Sequence, residues 1–144
     1  MTFNRAVVGF YLTALLVFAG GLRADSAASP EALQFFERKV RPLLAGSCYK
    51  CHGRKKQKGK LRLDRHEAIL SGGDSGPAVV PGKPQESLLV RAVKYQDPEL
   101  KMPPKQRLSA DQVGILMRWI ELGAPWPKEE TGGPDRRAPG LAVT

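Results

Sequence analysis

The chain has 144 residues, of which 42% are hydrophobic and 26% charged, and this ordinary globular composition excludes a fibrous or wholly disordered protein. Only two cysteines are present, so a small scaffold stapled by several disulfides is excluded as well. The net charge of +9 favours an acidic partner, a membrane surface or a nucleic acid as the interaction partner.

Residues 1–24 have the pattern of a secretory signal peptide. A short basic start is followed by a stretch without charge, Ala6–Leu22, and then by small residues. This order predicts export to the periplasm or the cell exterior, with cleavage after Ala24 or Ala28. The alternative is an uncleaved membrane anchor, because the apolar stretch is at the short limit for a helix that spans a bilayer.

The first helix of the exported part is predicted to begin after Ser29, whose hydroxyl suits the N-cap position before Pro30. Pro42 is expected to end or kink this helix, because proline lacks the N–H group and crowds the preceding turn. One further turn then leads into Cys48. The apolar stripe of the helix is predicted to consist of Leu33, Phe36 and Val40.

The middle of the chain is predicted to be rich in loops. Residues 53–84 show no clear periodicity and contain clusters of glycine and proline that indicate turns. A short helix is expected from about Gln85 to Lys94, and residues 97–106 form a loop punctuated by prolines.

The clearest helix is predicted over Ala110–Leu122. Ser109 and Gln112 have the spacing of a capping box, and Gly123 suits the position after the helix end. Apolar residues cover most sides of this helix, which predicts that it lies buried between two partners. The folded domain is thus expected over residues 29–127, and residues 128–144 are expected to form a disordered tail.

The segment that carries chemistry is Cys48-Tyr49-Lys50-Cys51-His52, a C-x-x-C-H motif typical of covalent haem c attachment. Two thiols three positions apart can each form a thioether with a porphyrin vinyl group, and the adjacent histidine can then bind the iron. Three other interpretations stay open on the residues alone. They are a redox-active cysteine pair, a zinc site that includes His52 and His66, and a plain disulfide.

The sixth ligand of such an iron would come from Met102, Met117 or His66, unless that position is open. Met117 is expected on the core face of a helix, where methionine usually fills space. Met102 is followed by two prolines, which hold the backbone extended and present the thioether at little entropic cost. Met102 is therefore favoured, and methionine–histidine ligation suits electron transfer.

Residues 36–127 resemble the planctomycete-type cytochrome c domain. The resemblance implies an all-α, cytochrome c-like small helical fold around one covalent haem c, with Cys48 and Cys51 as thioether links. It also implies His52 as the proximal ligand and Met102 as the distal one. Domains of this family often precede further domains, whereas here about 17 residues follow the domain, so no built-in redox partner is expected. The motifs that carry the resemblance are Val40-Arg41-Pro42-Leu43-Leu44, Cys48-Tyr49-Lys50-Cys51-His52, Leu61-Arg62-Leu63-Asp64, Gly72-Gly73, Pro77, Val80-Pro81-Gly82, Ser87-Leu88-Leu89, Met102-Pro103-Pro104, Leu108-Ser109, Trp119-Ile120 and Gly123-Ala124-Pro125-Trp126.

The fold implied by this resemblance also accounts for the apolar last helix. In cytochrome c folds the first and last helices cross near the haem. The helix over Ala110–Leu122 would then have the haem on one side and the stripe of the first helix on the other.

A basic run extends from Arg54 to Arg65, and Asp64 is the only acid within it. It follows the haem motif directly, so we expect it near the haem edge, where it would steer an acidic redox partner; the alternative is a solvated loop. The sequence thus favours a one-electron carrier rather than an enzyme. The competing functions are a haem-containing binding module for an anionic surface polymer and an open-site haem peroxidase or sensor. Nucleic acid is disfavoured, because the run lacks the aromatic residues that stack on bases.

Overall fold

The computed structural model describes residues 28–128, which are about half helical and contain little strand. This architecture is compatible with the predicted cytochrome c-like helical fold. The signal peptide predicted over residues 1–24, and the predicted tail beyond residue 128, lie outside the described residues. The helices are α1 (Pro30–Phe35), α2 (Arg41–Ser47), α3 (Tyr49–His52), α4 (His66–Ser71), α5 (Leu88–Lys94) and α6 (Ala110–Glu121), and the two-residue strand β1 covers Lys56–Gln57.

The first helix begins as predicted but does not end at Pro42. The Ser29 hydroxyl accepts a hydrogen bond from the Ala32 amide at 3.2 Å. A π-helical turn, Phe36–Val40, joins α1 to α2, and α2 continues to Ser47 with Pro42 in its first turn. Proline is tolerated in a first turn because the amide that it lacks would have no helical partner there. An end of the helix at Pro42 is therefore wrong, whereas the predicted alternative of a kink agrees with the π-helical turn just before the proline.

An aromatic cluster forms the centre of the core. The Phe36 ring centroid lies 4.3 Å from that of Trp126 and 5.8 Å from that of Trp119. Phe36 and Val40 are fully buried, as predicted, but Leu33 is only half-buried because Ala32 takes the inner position. The buried face of the first helix therefore repeats every four residues, through Ala32, Phe36, Val40 and Leu44.

Helix α6 is capped as the sequence predicts. The Gln112 amide donates to the Ser109 hydroxyl at 3.2 Å, and the Ser109 amide donates to the Gln112 side chain at 2.9 Å. Gly123 follows the helix with a φ of +89°. The chain then folds back, because the Trp119 indole donates to the Pro125 carbonyl oxygen at 2.9 Å.

The burial of α6 differs from the prediction. Leu116, Trp119 and Ile120 are fully buried, whereas Leu122 on the other side is 39% exposed. The buried side packs on α5 and on the π-helical turn of the first helix. The helix is thus amphipathic, and protein elements cover its apolar side.

The segment between the motif and α5 contains one helix that periodicity did not reveal. Helix α4 has six residues and buries Ile69 completely. The Ile69 carbonyl oxygen accepts from the Ala78 amide at 3.1 Å, and the Ala78 carbonyl oxygen accepts from the Leu89 amide at 2.9 Å. These bonds connect α4 to α5, which starts at Leu88 because Pro84–Glu86 forms a separate 3₁₀ turn.

Within residues 28–128, no helix is both long enough and apolar enough to cross a membrane.

Candidate functional site

A cavity of about 230 Å³ lies between the C-x-x-C-H motif, the loops that follow it and helix α5. Most of its wall is apolar, and aliphatic side chains from four separate segments contribute to it. A space of this kind excludes water and suits a largely apolar ligand. The lining includes Cys48, Cys51, His52, Lys58, Leu61, Leu63, Ala78, Leu89, Ala92, Val93, Leu100, Met102, Pro103 and Pro104.

The C-x-x-C-H motif occupies one helical turn. The amides of Cys51 and His52 both donate to the Cys48 carbonyl oxygen, at 3.1 and 2.9 Å. Residues three and four positions apart share a face of a helix, so the two thiols and the imidazole face the same space. All three side chains line the cavity. The structure thus brings the three predicted motif residues together.

The two cysteines are separate thiols in this structure. Cys48 is buried and Cys51 is half-buried. Burial raises the pKa of the Cys48 thiol to about 11, because an apolar surrounding disfavours the thiolate. Cys48 is therefore protonated at neutral pH. A redox-active cysteine pair contains a thiol whose pKa is lowered, so the raised pKa of Cys48 argues against that interpretation.

The imidazole of His52 has an unsatisfied ring nitrogen. Its Nδ1 atom is buried and has no hydrogen-bond partner. Burial lowers the pKa of His52, and this effect outweighs the opposing backbone groups of Lys58 and Leu61. The ring is therefore neutral at pH 7, which is the form that binds metal ions. The Tyr49 hydroxyl and Nε2 of His66 are also buried without a partner, so the state of Nδ1 is compatible with a ligand in the cavity but does not by itself indicate one.

A short hairpin fixes the backbone at His52. Gly53 pairs with Lys56, and His52 pairs with Gln57 in antiparallel fashion. The His52 carbonyl oxygen also accepts from the Leu63 amide at 2.7 Å. These contacts with Gln57 and Leu63 restrain the backbone of His52, and they thereby restrain the position of its imidazole.

Of the three candidates for a sixth ligand, Met102 is the one that lines the cavity. Met117 is half-buried on α6, and no residue of α6 belongs to the cavity wall. Helix α6 does pack on the Phe36–Val40 segment of the first helix, as predicted, whereas the expectation that a haem covers its other side stays a prediction. His66 lies elsewhere, with its ring stacked on Trp126 at a centroid distance of 5.8 Å. Its separation from the motif, and the lack of any metal-binding group of three His, Cys, Asp or Glu side chains among residues 28–128, argue against a zinc site.

Glycines allow two loops to meet at the cavity wall. A Cβ atom on Gly73 would lie 2.1 Å from the Gly59 carbonyl oxygen, far inside contact distance. The same oxygen accepts a hydrogen bond from the Asp74 amide at 2.9 Å. Glycine at position 73 is thus required by the close approach of two backbones. The sequence showed these glycines only as turn signals, since nothing in it indicates which loop lies opposite.

The basic run lies beside the cavity. Lys58 and Gly59 belong to the cavity wall, and residues 54–60 are exposed. Arg62 differs from the rest, because its guanidinium makes two hydrogen bonds of 2.9 Å to Asp64. The exposed positive charges next to the cavity are those of Arg54, Lys55, Lys56, Lys58 and Lys60, the last of which pairs with Asp74 at 3.0 Å.

Comparison with known proteins identifies the segment that forms this site. Residues 48–106 match the family model described as planctomycete cytochrome C. The matched segment begins at the first cysteine of the motif and includes Met102. Comparison with curated proteins found no match, and neither did comparison with solved structures. The resemblance inferred from the motifs is confirmed over residues 48–106, the segment that the family model matches.

Proposed function

We propose that the protein is an exported monohaem c-type cytochrome that carries single electrons and is not an enzyme. The observation that carries this proposal is that Cys48, Cys51, His52 and Met102 line the same apolar cavity. These side chains are two thiols, an imidazole with an unpartnered nitrogen and a thioether. Each of them fits one attachment or ligation point of haem c.

Each of the four residues would have a distinct role. Cys48 and Cys51 would hold the haem through thioether bonds, and His52 and Met102 would bind its iron. The bound group would supply a metal that takes up and releases one electron. The aliphatic wall excludes water, and a Met102 ligand raises the reduction potential relative to a second histidine.

The role of Met102 is tested by a matched pair of variants, Met102→Leu and Met117→Leu. Both replacements keep the side-chain volume roughly constant and remove the thioether. Met102→Leu is expected to abolish the low-spin spectrum of the haem-loaded protein and to lower its reduction potential, whereas Met117→Leu leaves both unchanged. If Met102→Leu has no effect on the spectrum, Met102 is not a ligand. If the spectrum is high-spin in both proteins, an open-site peroxidase or sensor is the better assignment; if it is low-spin in both, another group binds the iron.

Export is supported by the residue pattern of positions 1–24. Production of the full chain in a bacterium with haem-attachment machinery, followed by mass spectrometry of the periplasmic fraction, tests it. The expected product starts after Ala24 or Ala28 and carries one haem. Recovery of the intact N-terminus in the membrane fraction would instead indicate an anchor.

The basic residues beside the cavity support an acidic redox partner. Lys58 lies at the cavity wall, and Lys55 and Lys56 are exposed next to it. Clustered charge raises the rate of association with an oppositely charged partner, and salt weakens this effect.

Oxidation of the reduced protein by ferricyanide, an anionic one-electron oxidant, measures this steering. The rate is expected to fall as ionic strength rises. Lys55→Gln combined with Lys58→Gln should slow it roughly threefold at low salt. The control replaces Lys83 and Arg118, two exposed cations outside the cavity wall, and should change the rate much less. If the two double variants change the rate equally, the basic run does not steer the oxidant and is only a solvated loop.

A further inference from the structure

The backbone around Met102 is attached at two points to the C-terminal end of helix α5. The Met102 amide donates to the Ala92 carbonyl oxygen at 3.1 Å. One residue later, the Tyr95 hydroxyl donates to the Pro103 carbonyl oxygen. Met102 therefore lies between a backbone anchor and a side-chain anchor, both of which belong to the same end of the same helix.

The side-chain anchor matters because this segment has few hydrogen-bond donors. Pro103 and Pro104 have no amide hydrogen, so the Met102 amide is the only backbone donor in the three residues. That donor is already used by Ala92. The Tyr95 hydroxyl thus fixes the peptide between Pro103 and Pro104, one residue beyond Met102.

The Tyr95 ring is itself held in place. Tyr95 ends α5 in the left-handed conformation, with a φ of +59°, which a residue other than glycine rarely adopts. The Arg107 guanidinium lies 5.3 Å from the centroid of its ring and donates to the Lys94 carbonyl oxygen at 2.8 Å. An arginine over an aromatic face is an attractive arrangement. The hydrogen bond from Arg107 to Lys94 joins the two ends of this loop, and the same guanidinium holds the Tyr95 ring.

We propose that Tyr95, supported by Arg107, is a positioning residue that holds the Met102 thioether against the haem iron. This inference rests on the proposed function, because it takes Met102 as the iron ligand. Since Tyr95 does not line the cavity, it acts through the Pro103 carbonyl and not by contact with the cofactor. Nothing in the C-x-x-C-H motif identifies such a residue.

The test is competition by imidazole for the Met102 position in the oxidised, haem-loaded full chain. Tyr95→Phe removes only the hydroxyl group. It is expected to raise the apparent affinity for imidazole about fivefold, the size that loss of one neutral hydrogen bond produces. The absorption band that reports iron–methionine bonding should weaken in parallel. Arg107→Gln should raise the affinity roughly twofold, as expected for an exposed cation over a ring.

A control and a background variant separate the outcomes. Arg118→Gln removes an exposed arginine of α6, away from this loop, and should leave the imidazole affinity unchanged. In a Met102→Leu background, Tyr95→Phe should have no further effect on imidazole binding, because no thioether remains to be held. A merely structural role would lower the melting temperature without this dependence on Met102.

The measurements distinguish a failure of the proposed Met102 ligation from a failure of the role of Tyr95. If Met102→Leu itself leaves imidazole binding unchanged, Met102 is not a ligand, and both the proposed ligation and this inference are wrong. If Met102→Leu strengthens binding but Tyr95→Phe does not, only the role of Tyr95 is wrong. Should Tyr95→Phe fail to fold, the exposed Arg107 still decides the question, because an unchanged affinity in Arg107→Gln would overturn the inference.

Discussion

The two sides of this molecule are stabilised in different ways. On one side, Phe36, Trp119 and Trp126 pack ring against ring between the first helix, α6 and the segment that follows α6. On the other side, the wall of the cavity comes from the C-x-x-C-H turn, helix α5 and loops that are joined by backbone hydrogen bonds and by close contacts of glycine. Side chains pack against one another on the aromatic side, whereas on the other side they surround the cavity.

This difference indicates how folding and function are divided. Buried aromatic side chains stabilise the fold through the apolar area that they remove from water. The cavity side has few such side chains, so a ligand that filled the cavity would add apolar contacts where the protein itself offers the fewest. A domain of about 100 residues is close to the size at which one core is only marginally stable. We therefore expect variants on the two sides to respond differently to occupation of the cavity.

The largest expected effect is that of Trp119→Ala on the aromatic side. Trp119 is fully buried, and its indole donates to the Pro125 carbonyl oxygen. The replacement is expected to lower the free energy of unfolding by about 3–5 kcal/mol, because it leaves a large void. Urea unfolding measures the change, with Leu122→Ala as a control at an exposed position of the same helix. A loss below about 1 kcal/mol would show that the cluster is not the main source of stability.

A smaller effect is expected from Gly73→Ala on the cavity side. The added methyl group would meet the Gly59 carbonyl oxygen and push the two loops apart. We expect a loss of about 1–3 kcal/mol, the range for inserting a methyl group into a closely packed place. Gly114→Ala is the matched control. No atom lies within 4 Å of its added methyl group, and alanine in a helix is expected to stabilise by about 0.5–1 kcal/mol. Equal effects of the two variants would contradict the close contact.

The smallest expected effect is the contribution of His66, which stacks on Trp126, to the pH dependence of stability. Burial lowers the pKa of His66 from its usual 6.5, against the opposing effects of the Ala124 backbone and of Glu67. The unfolded chain therefore binds a proton at a higher pH than the folded chain. The contribution of His66 is complete above pH 6.5 and is lost as the pH falls from there through the lower folded value.

His66→Phe isolates this contribution, because a phenylalanine ring can still stack on Trp126. Urea midpoints of the haem-loaded protein at pH 7.5 and 5 should differ more in the original chain than in His66→Phe. Use of the loaded protein matters because burial also lowers the pKa of His52, which is proposed to be bound there. The same pH dependence in both proteins would show that His66 does not titrate differently on folding.

Local signals in the sequence predicted the starts of two helices. Ser29 and Ser109 both make the predicted capping bonds, because these depend only on residues three positions away. The C-x-x-C-H motif likewise predicted that its thiols and its imidazole act on one group, and all three line one cavity. Met102 was found from its prolines, which restrict the backbone locally.

Features that depend on contacts between distant segments could not be predicted. The sequence does not show that Gly73 meets Gly59, or that Tyr95 reaches Pro103, because loop pairing leaves no periodicity. The predicted burial of α6 was wrong in part for the same reason. The apolar Leu122 extends the helix pattern, yet no element covers it. Helix α4 was missed because six residues are too few to show a helical period.

The central claim is that Cys48, Cys51, His52 and Met102 hold one covalent haem. An absorption spectrum of the exported protein, taken before and after denaturation, tests it most directly. We predict a low-spin methionine–histidine spectrum for the native protein, and haem that stays with the chain after denaturation. A protein without haem would contradict the account. Covalent haem with a high-spin native spectrum would retain the cysteine links and contradict ligation by Met102.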